Sequence, residues 1–346
     1  MASTGRSEKR LTGEREDASP LIFLVAGEPS GDEIGGRLIA ALREAAGEGI
    51  GLAGVGGEAM AAQGFESLFP MEELSVMGLV EVLPRAIGIM RRMSETAAAV
   101  RRLSPDAVVT IDAPEFANGV WRRLDGVDSA LVHYVAPTVW AWRAGRARKL
   151  ARRIDHLLAL FPFEPPYFEA EGLDCTFVGH PALEAGIERD AGAAFRARHG
   201  ISGGPVIGLL PGSRRAEISR LMPVFADALR RIAAAEPAIR VVIPAVTAAI
   251  MRRMIRVRYV TIVNVILDRP AIPEFLQERC TGARLAEAAL ELLRGGRARE
   301  EQRAAVAGAL AQLRPPGMSP SAQAARTILD VVHRRATSRG IRETVA

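Results

Sequence analysis

The sequence predicts an α/β protein of two domains, each a parallel sheet covered by helices. Three observations carry that prediction. Short apolar runs alternate with stretches of helical periodicity, the signature of consecutive βαβ units. A chain of 346 residues exceeds what one hydrophobic core normally supports. The alternation also lapses into a polar, Gly-rich stretch and then restarts at "PVIGLLPGSRRAEI".

In order, "PLIFLVAGEPSGDEIGGRLIAALREA" reads as a buried strand, a Gly/Ser loop and a helix starting near Asp32. "GLAGVGG" is a short strand and turn, and "GLVEVLPRAIGIMRRMSETAAAVRRLSPD" is helical. "AVVTIDAPEF" is a strand ending in acids, with "WRRLDG" in a following helix. "SALVHYVAPTVWAW" is a strand and loop, "GRARKLARRI" a helix, and "HLLALFPFEPPYF" a strand and Pro-rich turn. "CTFVGHP" is the last short strand of this half. The second half offers "PVIGLL", a helix to about 235, the strand "IRVVIPAV" and one doubtful strand, followed only by helices near 282–295, 298–313 and 319–336. The expected division is a disordered tail over 1–19, a first domain over 20–185, a linker over 186–204, a second domain over 205–318 and a terminal helix and tail over 319–346.

Composition narrows the function classes. Hydrophobic residues at 49% and charged residues at 25% are the proportions of a globular protein in water. The net charge is +5, but no basic run is interleaved with aromatics as a base-stacking surface needs, so nucleic acid is not expected as a partner. Only Cys175 and Cys280 occur, too few for a disulfide framework or a cysteine metal site, which fits a reducing cytoplasm. The polar opening stretch has no apolar h-region, and no apolar run reaches the ~18–20 residues of a membrane span.

Five loops at strand ends hold the residues that could do chemistry, as expected where ligands sit beyond the carboxyl ends of parallel strands. Gly27-Glu28-Pro29-Ser30-Gly31-Asp32 lacks the lysine of a phosphate loop and does not fit GxGxxG. Its two carboxylates repel phosphate and suit sugar hydroxyls; the competing role for Ser30 or Asp32 is capping the helix. Asp112 in "TIDAPEF" ends a buried strand, where a carboxylate can deprotonate a hydroxyl or merely hold a turn. "HYVAPTVWAWR" gathers His133, Trp140, Trp142 and Arg143, whose rings stack on sugars, cover acyl chains or plug an internal gap. His180 ends the strand in "VGHP", most simply as a structural histidine. In "PGSRR", the backbone N–H groups of Gly212 and Ser213 beside Arg214 suit a phosphate or diphosphate at a helix start. The basic, Met-rich segments "LPRAIGIMRRM" and "AAIMRRMIRVRYV" are either core-facing helices or amphipathic helices resting on anionic headgroups.

Taken together and in this order, "LVAGEPSGD", "MEELSVMGLVEVLPR", "IDAPEF", "HYVAPTVWAWR", "FPFEPPYF", "FVGHP", "LLPGSRRAEI", "VRYVTIVNVILDR" and "IPEFLQE" resemble the lipid-A-disaccharide synthase family. The resemblance runs from about residue 20 to 335. It implies a GT-B glycosyltransferase, two Rossmann-like domains facing across a cleft, with no metal or other cofactor. The implied reaction joins UDP-2,3-diacylglucosamine to 2,3-diacylglucosamine 1-phosphate (lipid X) as a β-1,6-linked disaccharide, with inversion and release of UDP. The implied setting is the cytoplasmic face of the Gram-negative inner membrane, peripherally bound. It carries acceptor-side roles onto Glu28, Ser30, Asp32 and Asp112, with Asp112 the base on the 6-hydroxyl. It carries a diphosphate role onto Arg214 and a donor-domain role onto Asn264.

One departure is large. In the family, several βα units, including a nucleotide-gripping loop, follow the strand matching "VVIPAV"; here Val246 runs straight into "TAAIMRRMIRVRYV". Three readings stay open at this point: an active enzyme whose site is completed differently, as in a homodimer exchanging C-terminal segments; a binding-only descendant; or a defective chain with an unstable second domain.

Overall fold

The computed structural model describes residues 19–47, 49–74, 82–139, 145–185, 191–211, 215–243 and 261–345. Contacts divide the chain into two compact units. One comprises residues up to Glu184 together with those from Leu313 onward, and the other is Ala185–Gln312.

The first unit is a six-stranded sheet of order β2-β1-β3-β4-β5-β6, parallel throughout. Its strands are β1 (Leu21–Ala26), β2 (Gly51–Val55), β3 (Ala107–Ile111), β4 (Ala130–Tyr134), β5 (His156–Ala159) and β6 (Asp174–Phe177). Between them run α1 (Pro29–Ala46), α2 (Glu58–Ala61), α3 (Val82–Leu103), α4 (Pro114–Trp121), α5 (Gly145–Ala151) and α6 (Pro165–Glu169). Side chains alternate across a strand, and every residue of β1 is buried, so both faces must be covered. Ile22, Leu24 and Ala26 enter one apolar cluster; Leu21, Phe23 and Val25 enter the other. This is why the strand reads as a continuous apolar run without alternation. Gly54 lies at φ +137° in β2, and a Cβ there would overlap the Leu24 carbonyl of the neighbouring strand, so glycine alone fits.

Two boundaries differ from expectation. The first helix starts at Pro29, because proline's fixed φ suits a first helical position. The helix expected over "WRRLDG" lies earlier, at Pro114–Trp121, again opened by proline; the stretch after it forms turns closed by Arg122 N–H→Asn118 O and Val127 N–H→Leu124 O.

The last helix returns to this unit. Ala324, Ala325, Ile328 and Val331 join the cluster that holds Ile22 and Leu24. The Glu184 carboxylate accepts from the Ser321 backbone N–H at 2.5 Å and the Ser321 hydroxyl at 2.8 Å. A negative charge there complements the positive end of the helix that begins at Pro320.

The second unit contains α7 (Ala191–Arg198), β7 (Val206–Gly208), α8 (Arg215–Ala235), β8 (Arg240–Val242), α9 (Ile262–Leu267), α10 (Gly282–Arg294) and α11 (Arg297–Gln312); the helix after it, in the first unit, is α12 (Pro320–Val345). Helix α7 falls within the stretch expected to be linker. The two strands pair in parallel, and α8 packs on α10 through Ala228, Ile232 and Ala286. Parallel strands are normally buried on both faces; here neither β7 nor β8 contains a buried residue. Leu210 is 73% exposed and Ile243 50%, each forgoing part of the ~1.5–3 kcal/mol that burying such a side chain yields. Among the described residues, the second unit therefore has the short supply of strands that the sequence implied. The residues 261–267 of the doubtful third strand are the turn and helix around α9.

Candidate functional site

The carboxyl ends of β1 and β3 bring two loops together. The register pairs Ala26 with Ile111, which places residues 27–31 against residues 111–113. A Cβ on Gly31 would stand 2.9 Å from the Ile111 carbonyl oxygen, and one on Gly27 would stand 2.9 Å from Ala113 Cβ. Two small residues thus let the loops touch. At the contact, the Ser30 hydroxyl donates to Asp112 Oδ2 at 2.7 Å.

The backbone here is constrained. Asp112 and Ala113 take successive left-handed conformations, φ +53° and +44°. Such non-glycine positions cost roughly 1–3 kcal/mol each and persist where the surroundings enforce them. Asp112 N–H bonds the Tyr134 carbonyl at 2.9 Å, so the end of the β3–β4 ladder fixes the residue before the chain reverses into α4. Glu28 stands beside it: desolvation first, and then the Asp112 charge, raise its carboxyl above the usual carboxylate range. Ser30, Asp112 and Glu28 make a hydroxyl-and-carboxylate cluster able to accept hydrogen bonds from sugar hydroxyls and a proton from one of them.

Other expected site residues are placed differently. Asp32 is 5% exposed and accepts the backbone N–H groups of Gly57 at 2.7 Å, Ala59 at 2.8 Å and Met60 at 3.1 Å. Its carboxylate is spent on holding the turn after β2, not on the surface of the loop. His133 is 1% exposed; its Nδ1 lies 2.8 Å from Thr110 Oγ1 and 3.1 Å from the Thr110 carbonyl oxygen. Burial drives the imidazole down to about 4, against the upward pulls of Asp112 and the Thr110 carbonyl, so the ring is neutral at pH 7. His180 Nδ1 accepts from the Ala182 N–H at 3.2 Å, and burial lowers its pKa. It follows β6, three strands from β3 and about 14 Å away at ordinary strand spacing, outside the Ser30–Asp112 cluster. In the second unit, Asn264 is fully buried. Its amide donates to the Ile272 carbonyl at 2.7 Å and Glu274 Oε1 at 2.9 Å, while its oxygen accepts the Ile272 N–H at 2.8 Å. Both amide hydrogens are thereby used inside that unit. Trp140, Trp142, Arg143, Gly212, Ser213 and Arg214 lie outside the described residues, as does the whole of the second basic amphipathic segment.

A feature that sequence reading missed lies beside Asp112. A cavity of about 280 Å³ opens between α4 and α5, with Pro114, Glu115, Asn118, Trp121 and His133 on one side and Arg146, Lys149 and Arg153 on the other. The only signal in the sequence was spacing: Glu115 and Asn118 stand three apart on one helix, and Arg146 and Lys149 three apart on the next.

The sequence profile of the family described as lipid-A-disaccharide synthetase matches residues 22–250 and 243–328. The lipid-A-disaccharide synthase of Rhodospirillum centenum is 44% identical over 382 aligned positions, which cover 91% of this chain and 95% of that protein. The one from Paramagnetospirillum magneticum is 39% identical, covering 90% and 97%. Since 91% of 346 residues is about 315, roughly 67 of the 382 positions face no residue here. The profile match divides at 243–250, around the junction at Val246. Among solved structures, a putative UDP-N-acetylglucosamine 2-epimerase from Listeria monocytogenes superposes with a TM-score of 0.59 at 14% identity, covering 93% of this chain and 98% of that one. UDP-GlcNAc 2-epimerase from Neisseria meningitidis, bound to UDP-GlcNAc, gives 0.53 at 10% identity, covering 92% and 100%. Those two share the fold.

Proposed function

The chain belongs to the lipid-A-disaccharide synthase family, glycosyltransferases of lipid A biosynthesis, and from that premise we propose that Asp112 is the base of its sugar transfer. The observation that carries the reading is the 2.7 Å bond from the Ser30 hydroxyl to Asp112 Oδ2, which marks a place where a hydroxyl already delivers its hydrogen to this carboxylate. The acceptor is lipid X and the donor UDP-2,3-diacylglucosamine. The acceptor 6-oxygen attacks the anomeric carbon from the face opposite the nucleotide, the bond to the diphosphate oxygen breaks, and the hydroxyl proton passes to Asp112. Glu28, whose carboxyl is raised by desolvation and by the Asp112 charge, hydrogen-bonds the acceptor sugar. Gly212, Ser213 and Arg214 take the UDP diphosphate and stabilise its developing charge.

A second reading is favoured by the roughly 67 unmatched positions and by the two strands of the second sheet among the described residues: the chain holds the acylated acceptor and transfers nothing. Nucleotide affinity separates the two. Transfer requires UDP to bind, and calorimetric titration is expected to give a micromolar Kd. No heat up to millimolar UDP, in protein that still binds lipid X, would establish the second reading. Where transfer holds, a second copy exchanging C-terminal segments completes the donor site. The exposed Leu210, Val241 and Ile243 support that arrangement, and binding should then coincide with a dimer in sedimentation.

The site of action is an anionic membrane surface. No helix among the described residues is long and apolar enough to cross a membrane. On α3, however, Ile87 is 70% exposed and Met90 50%, with Arg91 exposed on the same face. Apolar side chains flanked by arginine suit the boundary between headgroups and acyl chains. Replacing both Ile87 and Met90 by aspartate is expected to weaken flotation with phosphatidylglycerol vesicles by ten-fold or more, with the melting temperature unchanged because both positions face water. Retained flotation would place the contact elsewhere.

A further inference from the structure

The cavity between α4 and α5 has the composition of an anion site and no part in the chemistry assigned so far. Its α5 side carries Arg146 and Lys149, three apart on the helix, and Arg153 in the turn that follows it. Against these three cations the lining sets one carboxylate, Glu115, which pairs with Arg146 at 3.2 Å. Arg153 pairs with Asp125 at 3.3 Å, outside the lining. Lys149 is exposed and has no carboxylate partner among the described residues; it is one of only two lysines in a chain rich in arginine.

A second, independent observation comes from the buried wall. Trp121 is 3% exposed, yet its indole N–H finds no acceptor among the described residues. Its ring meets the neutral His133 ring edge-on at 5.0 Å, and both line the cavity. A buried donor without an acceptor costs free energy, and an acceptor entering the cavity relieves it. The amide of Asn118 adds donors at the mouth. Donors and cations together describe a site for an oxyanion.

Position names the oxyanion. Pro114 lines the cavity two residues beyond Asp112, a separation of at most about 7 Å along the chain, comparable to the width of a sugar ring. We propose that this cavity receives the phosphate of the acceptor sugar, holding the ring by its 1-phosphate while the 6-hydroxyl lies at Asp112. The assignment rests on the acceptor reading given above. It explains why the two loops carrying Glu28 and Asp112 are acidic: the phosphate is held away from those carboxylates, at the opposite end of the sugar. Lys149 is here a binding residue for the phosphate.

The test compares affinities for lipid X and for phosphate-free 2,3-diacylglucosamine, by equilibrium binding to the full chain. Wild-type protein is expected to prefer lipid X by ten-fold or more, the worth of a charge-assisted hydrogen bond. Lys149→Ala should collapse that preference while leaving the affinity for the phosphate-free sugar unchanged, and Lys149→Arg should restore most of it. A merely structural lysine would shift both affinities together. Equal wild-type affinities, or a preference that survives Lys149→Ala, would overturn the proposal. If Lys149→Ala instead loses binding only to phosphatidylglycerol vesicles, the cavity takes a lipid headgroup and the assignment to the sugar is wrong. If neither acyl sugar binds, the acceptor reading fails by itself. Titration with glucosamine 1-phosphate then decides the cavity separately: a shift of the Trp121 indole N–H resonance upholds a phosphate site, and an unmoved resonance removes it.

Discussion

Asp112→Asn is expected to lower the rate of sugar transfer by about 10²–10⁴-fold, the range that a positioned base contributes, with lipid X affinity little changed. Asparagine is the informative replacement. It has nearly the same shape, tolerates the left-handed conformation found at φ +53°, and keeps an oxygen to accept the Ser30 hydroxyl. It cannot take a proton. Rate measurements at saturating substrates isolate that loss; a rate within a few-fold of wild type would mean that Asp112 only shapes the loop and another group accepts the proton.

The second large effect concerns stability. Asp32→Ala strands three backbone N–H groups, those of Gly57, Ala59 and Met60, now held at 2.7–3.1 Å by one carboxylate that is 5% exposed. Hydrogen bonds to charged groups are worth about 1.5–3 kcal/mol each, and buried donors left unmet cost more than the average bond. Some of these donors regain water once the turn after β2 loosens, so a net loss of about 3 kcal/mol is expected. For a unit of this size that lowers the melting temperature by about 6–12 °C, readable by calorimetry. An unchanged melting temperature would mean the turn is held by other contacts, and Asp32 would return as a residue facing ligand.

Asp32 also shows what the sequence could and could not disclose. The loop Gly27–Asp32 was legible as a candidate site because a glycine- and acid-rich stretch leaves a buried strand where ligands of parallel sheets bind. Which of its polar residues face outward was not. Serine, glutamate and aspartate at successive even positions look alike until the turn at Gly57–Met60 folds back and claims one of them. Asp112 was legible for the same positional reason as the loop. His133 stands out by type near a strand end, and the alternation along β4 turns it inward to Thr110 and Trp121, on the wall of the α4–α5 cavity. The amide of Asn264 is engaged by a chain segment only eight to ten residues on, a pairing its type alone did not reveal. The α4–α5 cavity was hidden because its two walls are separated in sequence by a strand and come together only through the sheet order.

The shortage of strands among the described residues of the second unit was the opposite case, legible in the amino-acid pattern alone. The exposed β7–β8 pair gives that shortage its physical form: apolar strand ends with nothing covering them among the described residues. The division of the profile match at 243–250 locates its origin.

The most direct measurement mixes the full chain with UDP-2,3-diacylglucosamine and lipid X and follows UDP release, with Asp112→Asn in parallel. Release that requires lipid X and nearly disappears in the variant is the expected result. Folded protein that binds lipid X yet releases no UDP would contradict it, leaving a chain that keeps the acceptor half of its family's chemistry without the transfer.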